Sequence, residues 1–162
     1  MTVTEVAGTP TADRSTYLEL IRELARSDAE AYRQRCAELD EQGWGELGLV
    51  VGAGFFLAAR RHLAAFSDRA AIIQFVADTR IEIVRTRFDF DAKVAESLIE
   101  SATTGDISQV EQLDPNLVIE VEMLLLRSLL KPLSEDELSR FLADVGSLSE
   151  QWATDAPTGG VR

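Results

Sequence analysis

One histidine, His62, and one cysteine, Cys36, are all that 162 residues hold of the two side chains most used for metal binding and nucleophilic catalysis. A single histidine excludes every site built from two, including the paired Glu-x-x-His helices of di-iron bundles, and no metal site is expected. Any histidine-dependent triad would have to use His62, and the adjacent Arg60 and Arg61 disfavour its protonated form. A lone cysteine cannot close an internal disulfide, and the opening "MTVTEVAGTPTADRST" has neither a basic nor an apolar leader region. Both features make the reducing cytoplasm the expected compartment. Long apolar runs are missing too. Leu47 to Ala59 is thirteen residues, closed by Glu46 and by Arg60, Arg61 and His62. A spanning helix needs about 20.

Positive charge is also in short supply. The chain holds 28 acids against 16 bases, a net charge of −12, which argues against partners with a phosphate backbone or an anionic lipid surface. Only two of the bases are lysines, a bias that fits a GC-rich genome and carries no functional reading. The charge is uneven. Residues 44–88 are net +2, and residues 89–114, with seven acids and one base, are net −6. The expectation is intramolecular: a basic helix and an acidic neighbour facing each other across solvent.

What is present is helical periodicity. Nowhere does period-two alternation persist, so the fold class is all-α: a single-domain bundle of five to six helices over residues 14–154, with flexible tails at 1–13 and 155–162. Asp13 or Ser15 caps a long first helix whose stripe of Tyr17, Ile21, Leu24, Tyr32, Cys36 and Leu39 is broken by Asp28 and ends before Gly43. A glycine-rich segment runs to Phe66. Ser67-Asp68 caps a helix bearing Ile72, Phe75, Val76, Ile83, Val84 and Phe88, and "DFD" at 89–91 turns into another bearing Val94, Leu98 and Ile99. A short helical turn covers Ile107 to Leu113. Asp114-Pro115 places a cap and then a proline at the first helical position, opening "NLVIEVEMLLLRSLLK", apolar nearly all round and therefore central. Ser134 and Glu137 form a capping box for the last helix. Sliding Phe75–Asp78 onto Leu117–Glu120 also aligns Arg85 with Arg127. A weak internal repeat of two helical hairpins follows, with the first two helices packed outside as a long N-terminal hairpin.

The stretch "GLVVGAGFFLAARRHL" poses the sharpest choice. It resembles the dinucleotide-binding fingerprint of Rossmann-type flavin and NAD proteins over about twenty residues, from the apolar run through Gly52-x-Gly54 to Ala58 and Leu63. The resemblance implies a phosphate-cradling turn. Leu57 stands where that family packs its third glycine, and the residues that should form a second strand, "SDRAAIIQFVAD", read as a cap and helix. No cofactor is therefore expected. As a helix, Gly45, Gly48, Gly52 and Gly54 cost roughly 1 kcal/mol each against alanine. Gly45, Gly48 and Gly52 share a face, and a bare face repays that cost by letting another backbone approach closely. The neighbour is either the central helix of the same chain or a second copy. A variant leaves 43–48 as a loop.

Candidate site residues follow. Gly48 and Gly52 mark the close-packed face, and Phe55, Phe56, Arg60 and Arg61 surround it. Glu120 and Glu122 lie in the most apolar helix, where a carboxylate needs a partner or a proton, and Arg80, Arg85, Arg87 and Arg127 are the cations available. The expected function is a non-enzymatic, self-associating interaction module acting as adaptor, regulator or small chaperone. Two alternatives remain. One is a pocket between the phenylalanine-rich second and third helices, holding an apolar small molecule whose anionic head meets Arg85. The other is an enzyme using Glu120 or Glu122.

Overall fold

A computed structural model describes residues 14–63, 69–85 and 89–155 of the protein. All regular structure among them is α-helix. The order is α1 (Arg14–Ala25), α2 (Ala29–Gln42), α3 (Leu47–Leu63), α4 (Arg69–Val84), α5 (Ala92–Thr104), α6 (Pro115–Leu130) and α7 (Glu135–Asp155). Among the described residues seven helices replace the expected five to six, because the long first helix breaks in two. Ser27 takes a left-handed φ of 57°, and the Asp28 carboxylate accepts from the Ala31 amide, so a new helix starts there. The Ile107–Leu113 segment makes turn hydrogen bonds and forms no helix.

Local chemistry sets most other boundaries. Asp91 accepts from the amides of Lys93 and Val94, and Asp114 accepts from that of Asn116 ahead of Pro115. Ser134 and Glu137 cap each other's amides reciprocally. Gly105 closes α5 in the left-handed conformation that glycine adopts without strain. The expected cap at Ser67-Asp68 lies outside the described residues, as do residues 1–13 and 156–162. The domain's expected end at 154 is passed by one residue, since Asp155 closes α7.

The packing order differs from the expected one. α3 is not on the outside, where the repeat would put it, but enclosed as its apolar residues on several faces imply; it touches α1, α5, α6 and α7. α1 also meets both α6 and α7, so these four helices enclose the centre of the core. α5 lies against α3 and α6, α4 covers α5, and α2 packs mainly on α1. α3 rather than the chain's own turn joins α6 to α7, so the second copy of the proposed repeat is not a packed hairpin. Nor do α4 and α6 take equivalent places, one peripheral and one central.

Small residues make α3's position possible. Val50, Val51, Ala53, Phe55, Ala58 and Ala59 are all buried. A methyl group on Gly48 would lie 3.3 Å from Ile119 Cδ1 of α6, and one on Gly54 would lie 3.6–3.8 Å from Leu126, Ile21 and Val145 on three different helices. Gly45 falls in the turn before α3, but Gly48 already lies in the helix, so the loop is shorter than the 43–48 of the variant. The close approach is thus made within one chain.

At Gly54 a methyl group fits at van der Waals distance and a longer side chain does not. Gly54→Ala should leave stability unchanged or raise it by up to about 1 kcal/mol, by restricting the unfolded chain. Gly54→Leu should lower it by about 1–3 kcal/mol or more through overpacking. Urea denaturation of both variants checks this; equal midpoints would refute the close-packed reading.

Candidate functional site

The ten candidate residues do not converge. Six lie on α3. Gly48 faces Ile119, and Gly52 faces the Trp152 ring of α7, 3.9 Å from a built methyl group. Phe55 is buried in the core, while Phe56 meets Trp152 edge-on with ring centres 5.7 Å apart. Arg60 lies over the Phe56 ring and donates to the Ala102 carbonyl at 3.4 Å, near the end of α5. Arg61 pairs with Asp144 at 2.6 Å and lies over Phe141. These contacts fasten α3 to α5 and α7. Arg85 sits exposed in the turn after α4 and does not line the cleft described below. The expected facing of basic and acidic segments is present: Arg80 pairs with Asp89 at 2.7 Å, and Arg69 reaches Glu100 at 2.7 Å and Glu96 at 3.7 Å.

The isolated nucleophile candidates are not activated. Burial, more than any other cause, raises the Cys36 thiol and keeps it protonated. His62 is lowered first by burial and then by Arg61, which leaves it neutral.

Glu122 is the anomaly. It is only 9% exposed, between α6 and its neighbours. Neither hydrogen bond nor ion pair reaches it among the described residues, so of the two sequence alternatives, a partner or a proton, the partner is not found. The geometry explains why. Arg127, five residues on, projects about 140° away around the helix, Arg80 is committed to Asp89, Arg85 is exposed in the turn after α4, and Arg87 lies outside the described residues. Desolvation alone pushes the Glu122 carboxyl up to about 8, so it carries its proton at neutral pH.

Glu120 and Arg127 face elsewhere. Both border a half-open cleft of about 620 Å³ between the α1–α2 elbow and the outer side of α6. Leu24 of α1 and Tyr32 of α2 make one wall, and Met123 and Leu124 of α6 make the other. Burial raises the Tyr32 phenol to about 12, so it stays neutral there. The cleft exists because Ser27 turns the chain: a straight α1–α2 helix would leave no elbow. Most of the charges around it are already engaged. Glu23 pairs with Arg35 at 2.8 Å, Arg33 with Glu30 at 2.7 Å and Asp89 with Arg80, which draws Asp89 down to about 2. Asp28 is occupied as the cap of α2. Glu120 and Arg127 are within ion-pair distance of no described residue, although Arg127 is near enough to Glu82 to favour its charged form.

Sequence reasoning picked out Glu120 and Arg127 but missed Leu24, Tyr32, Met123 and Leu124 as a lining. Among the described residues no group of three His, Cys, Asp or Glu side chains could hold a metal ion, and no helix is long and apolar enough to cross a membrane. No family model matches the chain, and neither a curated protein nor a solved structure matches it.

Glu122 makes stability depend on pH in a fixed direction. The unfolded carboxyl titrates near 4.5 and the folded one near 8, so the native state holds the extra proton between those values. Stability therefore falls as pH rises through that window, by up to a few kcal/mol. Glu122→Gln should remove this slope and be the more stable protein at pH 8.5. Denaturant midpoints at pH 5 and pH 8.5 test it, and parallel curves for the two proteins would exclude it.

Proposed function

We propose that the protein is a binding module rather than an enzyme, and that the cleft between the α1–α2 elbow and α6 is where it binds. The observation that carries this reading is the cleft itself. Its volume of about 620 Å³ suits a small ligand, its walls are apolar and aromatic, and a few charges stand at its rim. Both carboxyls that could serve an acid–base reaction lack a second reacting group beside them. Glu122 is enclosed and protonated, and Glu120 stands open to solvent. The pocket expected between the second and third helices beside Arg85 is not where the cleft lies; the reading of an apolar body with a charged head applies instead to the α1–α2 elbow and α6, with Arg127 in place of Arg85.

Native mass spectrometry of the protein purified from its own host should show a bound small molecule. A direct probe is 8-anilinonaphthalene-1-sulfonate, an aromatic anion. The protein should enhance its fluorescence, and Met123→Trp, which fills the cleft from α6, should cut that enhancement about fivefold or more while the melting transition stays cooperative. Equal enhancement by both proteins would remove the cleft as the site.

Self-association as an interaction module is the second reading, and α4 favours it. Its outer side exposes Ile73, Ile81 and Val84 at 43, 63 and 51%. Such a stripe on one helix suits a second copy of the chain. The glycine face is no longer the candidate, since Ile119 and Trp152 cover it. Sedimentation equilibrium should show a mass that rises with concentration, and Ile73→Glu with Ile81→Glu should return it to that of one chain. A single-chain mass at every concentration for the parent would end this reading.

A further inference from the structure

The cleft carries its free charges in a particular order. Glu120 and Arg127 stand seven residues apart on one side of α6, two helical turns, and Met123 and Leu124 lie between them on the same side. The α6 wall therefore reads acid, apolar, apolar, base along its length. Leu24 and Tyr32 face the apolar middle from α1 and α2. Every other charge at the cleft is already paired or capping, so these two ends are the ones open to a ligand.

Resting on the cleft as the binding site, we propose that its ligand is zwitterionic: a short apolar peptide with free ends. Its ammonium lies at Glu120, its side chains over Met123 and Leu124, and its carboxylate at Arg127. Length supports the match. Seven residues of helix rise about 10 Å, and three residues of extended chain span about 10 Å. A ligand with only an anionic head would engage Arg127 and leave Glu120 opposed by nothing. An arginine at the rim presents a planar fork suited to a carboxylate, and a free carboxylate at the other end accepts an ammonium's protons. The chain's net charge of −12 does not select this ligand, because a zwitterion carries no net charge.

Titration calorimetry at pH 7 with trileucine tests the proposal, alongside its N-acetyl form, its C-terminal amide and the doubly blocked peptide. The free peptide should bind at least about tenfold more tightly than either singly blocked form. Arg127→Gln should bind the acid and the amide alike, and Glu120→Gln should bind the amine and the N-acetyl form alike. Each variant should keep the parent's melting curve and its discrimination at the other end. If the doubly blocked peptide binds as tightly as the free one, the cleft reading stands and the zwitterion falls. The zwitterion falls likewise if no peptide binds while anilinonaphthalene sulfonate still occupies the cleft, or if Arg127→Gln still tells acid from amide. If neither peptide nor dye binds, both readings fall.

Discussion

The structure depends on α3 being thin. A helix touched by four others must let each of them near its axis, and only small side chains allow that. Gly48 admits Ile119, Gly54 admits side chains from three helices at once, and Ala53, Ala58 and Ala59 are fully buried. The helix-propensity cost of its glycines is offset by dispersion attraction along several faces. The same constraint explains why the ends of α3 are polar. Glu46 before it forms a two-point contact with Arg14, and Arg61 near its end reaches Asp144. The middle is held by packing and the ends by charge.

A second consequence concerns α6, which is apolar nearly all round yet carries two glutamates. Residues 120 and 122 differ by about 200° around a helix, so they cannot share an environment. One reaches solvent at the cleft, and the other is enclosed and protonated. Burying a carboxyl without a partner costs stability, and the proton limits that cost. At this position the protein has the acid's volume without its charge.

Features written in neighbouring residues were legible in the sequence. Asp114 before Pro115, the Ser134–Glu137 box and Gly43 after α2 each act over a few residues, and each has the role its chemistry implies. The helical class was legible for the same reason. The break at Ser27 was harder. Asp28 interrupts the stripe, but one such residue costs a long helix little, and the stripe resumes in a compatible phase at Tyr32. The glycine face announced a close approach but not its partner, because that depends on where the chain returns much later. The cleft was not legible at all. Met123 and Leu124 look like core residues in an apolar helix, and only the elbow from α1 to α2 leaves them uncovered. Glu120 and Arg127 were recognisable as charges out of place, without the lining that gives them a use.

The α1–α2 elbow also divides the molecule mechanically. α2 has one fully buried side chain, Leu39, and leans almost only on α1. Tyr32 and Cys36 pack against the core only in part, and two polar ties add to them: the Arg35–Glu23 pair, and the Tyr17 hydroxyl that donates to the Gly43 carbonyl at 2.9 Å. A helix held this way opens at far less free energy than the core does, so its amides exchange with solvent long before those of α3 or α6. The two walls of the cleft are therefore held unequally: Met123 and Leu124 stand on a helix fixed by the packed centre, whereas Tyr32 stands on one that rests almost only on α1.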